Sequence, residues 1–353
     1  MSLRDICIGT QVLGEGHLPI ILPDIDMFFN GDLEIARGLI ESVSKSGLRT
    51  IKTAILEDPM VVFDTPAEER YLCRDGSYKS VNYRSLIQKK VMTLDQHREL
   101  FNLIKSYGLN FIVSVYTLES VDFAVSEGAI AIKIASSNIN FLPLIEKSAR
   151  TGLPLLIDTG KSTLCEIFEA RHAAYSANQD VKLIFEHSPA APPAPIERQD
   201  LSFMNYLSNL LGEHAGLSHH SDDLLMIIAS VAIGAKVIEF GLCRDNEADD
   251  QDVFHAVKEG QLMQLVENIN RVNIALGDPY SRIDNEVMPN NGRMSLRAKQ
   301  GLIAGTRMNL ENVSFSFPPI GIPANEWARV QGKILKRNVQ AGMPICNNDV
   351  EYE

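Results

Sequence analysis

Eight times between residues 20 and 276, a short apolar or β-branched run is followed by a longer stretch with helical spacing. The runs are 20–26, 50–56, 110–117, 129–136, 154–160, 181–187, 215–220 and 236–242. The stretches after them are 33–46, 94–107, 118–126, 140–151, 161–178, 201–211, 222–234 and 253–276. Asp32, Thr93 and Ser221 stand where helix caps are expected, because their side chains accept from free backbone N–H groups. Strands that alternate with helices in this way pair in parallel. Eight such units predict an α/β chain folded as a (β/α)8 TIM barrel, with its functional end at the C-terminal tips of the strands. A doubly wound sheet is the alternative. The even spacing and the lack of a glycine-rich phosphate loop favour the barrel.

Residues 3–19 precede the first unit and read as a short hairpin that plugs the barrel from below. Residues 57–93 form a long insertion rich in charge and tyrosine, expected to be a lid or a substrate wall. After Leu276 the chain turns polar, with glycine and proline, and then breaks into short strand-like pieces with glycine turns. The predicted organisation is a barrel over 1–285, a linker over 286–294 and a small β-rich domain over 295–353. A module of that size buries little by itself and is expected to lean on the barrel or on another subunit. Within it, Trp327, Phe315 and Phe317 are read either as a hydrophobic cap over a site or as the module's own core.

Composition excludes several classes. The net charge is −12 and no basic patch is interleaved with aromatics, which argues against a nucleic-acid partner. No apolar run reaches the roughly 18 residues that span a bilayer, so no membrane partner is expected. The first ten residues lack a charged-then-apolar leader pattern, and a cytoplasmic location is expected. Five scattered cysteines without a Cys-x-x-Cys pair indicate neither a disulfide framework nor a zinc ribbon.

Strand alternation turns Asp24, Asp26, Lys52, Lys133, Asp158, Glu186, His220 and Glu239 toward the barrel axis. Charges buried in that number must pair or bind something, since an unpaired one costs several kcal/mol. One outcome is a barrel filled with its own salt bridges, such as Lys52 with Asp24 and Lys133 with Asp158. The other is a site, in which Glu186, Asp158 or Glu239 joins His220 as a ligand for a hard divalent metal such as Mn2+ or Mg2+.

Several strings, in order, resemble the sialic acid synthase family, including its spore-coat polysaccharide branch. They are Asn30-Gly31-Asp32-Leu33, Ile51-Lys52, Lys133-Ile134 with Ser136 and Pro143-Leu144-Ile145, Asp158-Thr159-Gly160, Gly216-Leu217-Ser218 before His220, and Val237-Ile238-Glu239. The resemblance covers essentially the whole chain. It implies a barrel followed by an antifreeze-like (SAF) domain, and an enzyme that joins phosphoenolpyruvate to an N-acyl amino sugar with a divalent metal. It also implies a domain-swapped homodimer. Residue by residue, it implies that Lys52, Lys133, Ser114 and Ser136 hold phosphoenolpyruvate, that His220 is a metal ligand and that Asp252 contacts the sugar; Glu239, from the inward set, is the oxygen ligand expected beside His220. Asn138 and Asp158 fall on substrate-contact positions, and Asp24 and Glu186 are the candidates for proton transfer.

The departures from the family pattern are as specific as the matches. Asp24 stands for a glutamate, Asn138 for a proton-transferring glutamate and Asp158 for a serine. Phe28 and Phe29 replace polar residues, Glu186 lies in an altered sixth-strand motif, Ala190 stands near a substrate-contacting tyrosine, Gly241 replaces the second metal-ligating histidine and Phe317 replaces an arginine. An amide at 138 cannot do acid–base work. The expected function is a phosphoenolpyruvate-dependent sugar-acid synthase of surface or spore-coat polysaccharide biosynthesis. The alternatives are a related metal-dependent sugar-acid lyase or aldolase, or a catalytically inactive sugar-binding paralogue.

Overall fold

The computed structural model describes residues 3–25, 28–189, 193–246, 250–277 and 292–352. Asp26, Ala190 and positions 286–291 of the expected linker lie outside them. The chain divides into two compact units, Met1–Gly277 and Asp278–Glu353.

The first unit opens with an antiparallel hairpin, β1 (Ile6–Ile8) and β2 (Gln11–Leu13). Then follow β3 (Ile20–Asp24), α1 (Leu33–Lys45) and β4 (Thr50–Ile55). The insertion contributes a second hairpin, β5 (Glu68–Leu72) and β6 (Tyr78–Asn82), and the short helix α2 (Tyr83–Gln88). The remaining elements are α3 (Leu94–Ser106), β7 (Asn110–Val115), α4 (Leu118–Ser126), β8 (Ala131–Ile134), α5 (Leu142–Arg150), β9 (Leu155–Asp158), α6 (Leu164–Ala177), β10 (Leu183–His187), α7 (Ser202–Leu211), β11 (His214–His219), α8 (Leu225–Ala232), β12 (Val237–Cys243), the two-residue β13 (Val257–Lys258) and α9 (Glu259–Leu276). The eight strands β3, β4, β7, β8, β9, β10, β11 and β12 pair in parallel in that order, and the pairing of β12 with β3 closes the barrel.

Both faces of these strands are buried, which is why they read as near-continuous apolar runs rather than alternating ones. Outward residues such as Ile51, Phe111, Val113, Ile132, Ile157 and Phe185 pack with the helices into the large outer core. Inward residues Ile20, Leu22, Ile112, Ala131, Leu156, Ile184 and Val237 form a separate inner cluster, completed by Ile6, Ile8 and Leu13 of the β1–β2 hairpin. The hairpin is also held by Thr50, whose hydroxyl donates to Gln11 Oε1 at 2.7 Å.

Two residues further along each strand, the next inward position is polar on all eight: Asp24, Lys52, Ser114, Lys133, Asp158, Glu186, Ser218 and Glu239. A polar layer therefore lies directly on an apolar one, toward the C-terminal mouth.

Helix ends follow local chemistry. Asp32 Oδ1 accepts the N–H groups of Glu34 at 2.9 Å and Ile35 at 3.3 Å, and Thr93 and Gln96 form a reciprocal capping box. Ser221 is not the cap expected for α8. That helix starts at Leu225, where Asp223 accepts the Leu225 N–H at 2.9 Å, while Ser221 supports the Asp223 N–H at 3.2 Å.

The insertion is tied to the last barrel loop. Arg74 donates to the Val253 carbonyl at 3.1 Å and contacts Cys243 Sγ at 2.8 Å, and the buried pair Lys90–Asp250 closes at 3.1 Å. Among the described residues, four non-glycine residues have left-handed backbone: Asn30, Lys161, Asp200 and Asp252. All four lie in loops that leave the C-terminal ends of barrel strands.

The second unit holds two small antiparallel pairs, β14 (Ser295–Ala298) with β15 (Val313–Ser316), and β16 (Ile334–Leu335) with β17 (Val350–Glu351), separated by the one-turn α10 (Trp327–Val330). Its core is Leu296, Met308, Ile322, Leu335, Ile345 and their neighbours. Phe315 and Trp327 meet edge to face at 5.8 Å against that core, so they belong to the module's interior. Phe317 is 58% exposed. Among the described residues, no helix is long and apolar enough to cross a membrane.

Candidate active site

The polar layer is one connected ion network. Asp24 holds Lys52 at 2.5 Å, and Lys52 lies 3.9 Å from Glu239 Oε1. The other oxygen of Glu239 accepts from Lys133 at 2.8 Å. Lys133 also pairs with Glu186 and, at 3.4 Å, with Asp158. Ser218 donates to Glu239 Oε1 at 3.1 Å. Register explains the grouping: Asp24 faces Lys52 across β3–β4, Asp158 faces Glu186 across β9–β10, and Ser218 faces Glu239 across β11–β12.

Lys133 is therefore not an open cation at a strand top. It is 1% exposed and surrounded by three carboxylates. Both internal pairs anticipated for a filled barrel, Lys52 with Asp24 and Lys133 with Asp158, are present.

Four carboxylates share two lysines here, and they do not titrate alike. Burial pushes the Glu186 carboxyl up to about 8, with the Glu239 charge adding to the effect, so Glu186 holds a proton more readily than an ordinary carboxyl. Burial acts on Glu239 in the same direction, but Lys133 and Lys52 outweigh it and hold Glu239 below the usual carboxylate range. Burial alone would lower Lys133; Glu186, Glu239 and Asp158 reverse that and keep it charged. Glu186 Oε1 is buried without a hydrogen-bond partner. Such an orphan atom marks either strain or a missing ligand.

A small pocket of about 40 Å3 brings together Asp24, Ser218, His220, Glu239, Gly241, Asp252, His255 and Phe28. His220 Nδ1 lies 3.1 Å from the Ser218 carbonyl and 3.2 Å from Ser188 Oγ, so Nδ1 carries the proton and Nε2 is left as the acceptor nitrogen. The His220 and His255 rings stand 5.1 Å apart. His255 Nε2 approaches Asp252 Oδ1 at 3.5 Å, and burial pushes His255 well below its ordinary range, so it is neutral. Asp252 thus reaches the mouth through a left-handed residue, φ 69°.

Other expected site residues are not in this pocket. Ser114 is buried in the layer, in register with Lys133. Ser136 lies in the turn after β8 and lines a separate outer cleft that also touches His220. Asn138 donates its amide to the Val115 carbonyl at 3.1 Å, a structural bond. Ser188, Ser218 and His255 were not assigned roles from sequence. Ser218 was detectable by parity alone, whereas the other two sit in loops with no periodic signal.

His220 is presented as a metal ligand would be, with its second nitrogen hydrogen-bonded. The rest of the expected donor set does not fit. Both Glu239 oxygens are engaged by Lys133, Ser218 and Lys52. Gly241 stands where the second histidine was expected, and a Cβ there would lie 2.7 Å from the Phe28 ring. Among the described residues, no three His, Cys, Asp or Glu side chains are grouped to hold a metal ion.

Three outcomes follow from this geometry. Lys133→Met strands buried carboxylates and should lower stability by about 3–5 kcal/mol in urea unfolding; adding Glu186→Gln and Asp158→Asn should restore much of the loss. Because its folded pKa is raised, Glu186 binds more protons in the folded state, so its contribution to stability falls as pH rises from the ordinary carboxylate range through about 8. Glu186→Gln should remove that slope when urea midpoints are compared across pH. Gly241→His overpacks the Phe28 ring and should cost about 1–3 kcal/mol, with a smaller cost in a Phe28→Leu background, read as coupling in a double-mutant cycle.

Comparison with known proteins agrees with the fold. Residues 39–281 match the NeuB family and residues 293–351 match the SAF domain. The N,N'-diacetyllegionaminic acid synthase of Legionella pneumophila is 24% identical over 351 residues, covering 97% of this chain and 98% of that protein. The N,N'-diacetyllegionaminic acid synthase of Campylobacter jejuni is 26% identical over 324 residues, covering 90% and 96%. Among solved structures, a spore coat polysaccharide biosynthesis protein of Bacillus subtilis superposes with a TM-score of 0.66 at 22% identity, covering 99% of this chain and 100% of that one. The N-acetylneuraminic acid synthetase of Leptospira borgpetersenii superposes with a TM-score of 0.69 at 19% identity, covering 82% and 93%. These likenesses show the shared fold. With most of its barrel matched by the family and its C-terminal module by the SAF domain, the chain belongs to the NeuB family of synthases.

Proposed function

We propose that this chain is a sugar-acid synthase that joins phosphoenolpyruvate to an N-acyl amino sugar aldehyde and releases phosphate, in surface or spore-coat polysaccharide biosynthesis. The observation that carries the reading is the joining of Lys52 and Lys133 through Glu239, beside Glu186, whose carboxyl is pushed up by burial. Glu186, whose carboxyl is pushed up, is suited to give a proton, and Asp24, the carboxyl at the Lys52 end of the network, to take one. The family relatives named as synthases support the reaction class.

In this reading Lys52 takes the substrate carboxylate, and Lys133 takes the phosphate in exchange for Asp158, the longest of its three carboxylate contacts. Ser114 and Ser136 supply hydroxyl donors. C3 of phosphoenolpyruvate forms a bond to the aldehyde carbon, and the carbonyl π pair moves to its oxygen. That oxygen takes the Glu186 proton, for which the folded chain offers no acceptor at Oε1. Water adds to the electron-poor C2 and gives a proton to Asp24. The C2 hydroxyl then gives its proton to the departing phosphate oxygen as the bond between C2 and that oxygen breaks, leaving a ketone and inorganic phosphate. The expected donor set does not fit a metal, and the proton transfers run on Glu186 and Asp24.

A second reading is favoured by Asn138 and Asp158. The first is fixed to a backbone carbonyl and the second places negative charge beside the phosphate position. Both suit a sugar-acid lyase or a paralogue that binds sugar without turnover. The assay is phosphate release from phosphoenolpyruvate across a panel of N-acyl amino and diamino sugars. The synthase should release phosphate with at least one sugar, and Lys52→Met should lower kcat/KM by about a hundredfold or more. No release with any sugar would leave only the second reading.

A further inference from the structure

Beyond the polar layer, Lys161 and Arg198 are exposed cations that line one cavity. A cavity of about 490 Å3 lies outside the polar layer, lined by Thr159, Lys161, Ser162, His187, Ser188, Arg198, Asp200, Ser202, Phe203 and Tyr206. It is built from the loops that follow β9 and β10 and from the first turns of α7. Among the described residues, neither Lys161 nor Arg198 has an ion pair or a side-chain hydrogen bond. Lys161 and Asp200 both hold left-handed backbone, φ 58° and φ 43°, a conformation that costs a non-glycine residue energy and that clusters at functional loops.

Part of the lining is aromatic. The Phe203 and Tyr206 rings stack at 5.7 Å, and His187 meets Phe203 edge-on at 5.6 Å, which fixes the Phe203 ring in place. Tyr206 is 49% exposed. The remaining lining is hydroxyl and carboxylate, from Thr159, Ser162, Ser202 and Asp200, groups suited to sugar hydroxyls. An apolar wall with a few placed polar groups is the usual form of a small-ligand site. The cavity continues inward. It shares Lys161, Ser162 and Ser188 with the adjoining cleft of about 280 Å3, which reaches Ser136 and His220, and Ser188 Oγ is the group bonded to His220 Nδ1.

We propose that this cavity binds an anionic carbohydrate, with its phosphate or carboxylate between Lys161 and Arg198 and its ring face on the Phe203–Tyr206 pair. Arginine and lysine together suit an oxyanion, the first by paired N–H donors and the second as a point charge. The site is independent of phosphoenolpyruvate chemistry: a chain that releases no phosphate in the synthase assay would still bind here.

The test is calorimetric titration of the full chain with N-acetylglucosamine 6-phosphate, glucuronate and neutral N-acetylglucosamine at about 0.15 M salt. The charged sugars should bind more tightly than the neutral one. Tighter binding of the phosphate identifies a sugar-phosphate site, and tighter binding of glucuronate a sugar-acid site. Lys161→Met and Arg198→Met should each weaken binding by about tenfold without moving the melting temperature, since both side chains are exposed, and Tyr206→Ala should weaken all ring-bearing ligands. The proposal is overturned by absence of binding, by equal binding of neutral N-acetylglucosamine, or by unchanged affinity in the Lys161→Met/Arg198→Met double variant.

Discussion

Lys133 and its three carboxylates are the constraint on which the rest of the mouth depends. Stacked over an apolar layer sealed from below, the polar layer has little access to water, so each charge must be compensated within it. Two lysines cannot neutralise four carboxylates. The surplus pushes the Glu186 carboxyl up, while Lys133 and Lys52 hold Glu239 down. Replacing one member changes the protonation of its neighbours, which makes the layer a single electrostatic unit rather than a set of separate site residues.

The departures from the family pattern are mutually consistent. Phe28 fills the space that a side chain at 241 would need, so an aromatic and a glycine replace two polar positions together. Asn138 is bonded to the Val115 carbonyl, so the amide has a structural partner where a glutamate would have had a chemical task. Asp158 is secured twice, by Lys133 and by the Gly160 N–H at 2.8 Å. At positions 28, 138, 158 and 241 the residues present are fitted to their neighbours, while Glu186 Oε1 is left without a partner.

Much of this was legible in the sequence. The eight βα units and their order follow from hydrophobic period, and strand parity alone identifies Asp24, Lys52, Lys133, Asp158, Glu186 and Glu239 as one inward set. Parity does not say which charges meet, because that depends on the stagger between strands; Lys133 reaches Glu239 across the barrel axis, 106 positions away in the chain. Loop residues were the least legible. His255, Lys161 and Arg198 take their positions from left-handed turns and cavity shape, which carry no periodic signature. Asp26, Ala190 and positions 286–291 of the expected linker lie outside the described residues.

The N-terminal hairpin has a consequence for how the molecule is made. Ile6, Ile8 and Leu13 find their partners on strands spread along the barrel, up to Val237 on β12, and His214 Nε2 contacts the Arg4 carbonyl across 210 positions of chain. During synthesis these first apolar side chains emerge long before the strands that cover them. Contacts so distant in sequence slow folding and prolong the exposure of apolar surface. The hairpin's full set of contacts therefore exists only once β12 has joined β3 and the barrel is closed.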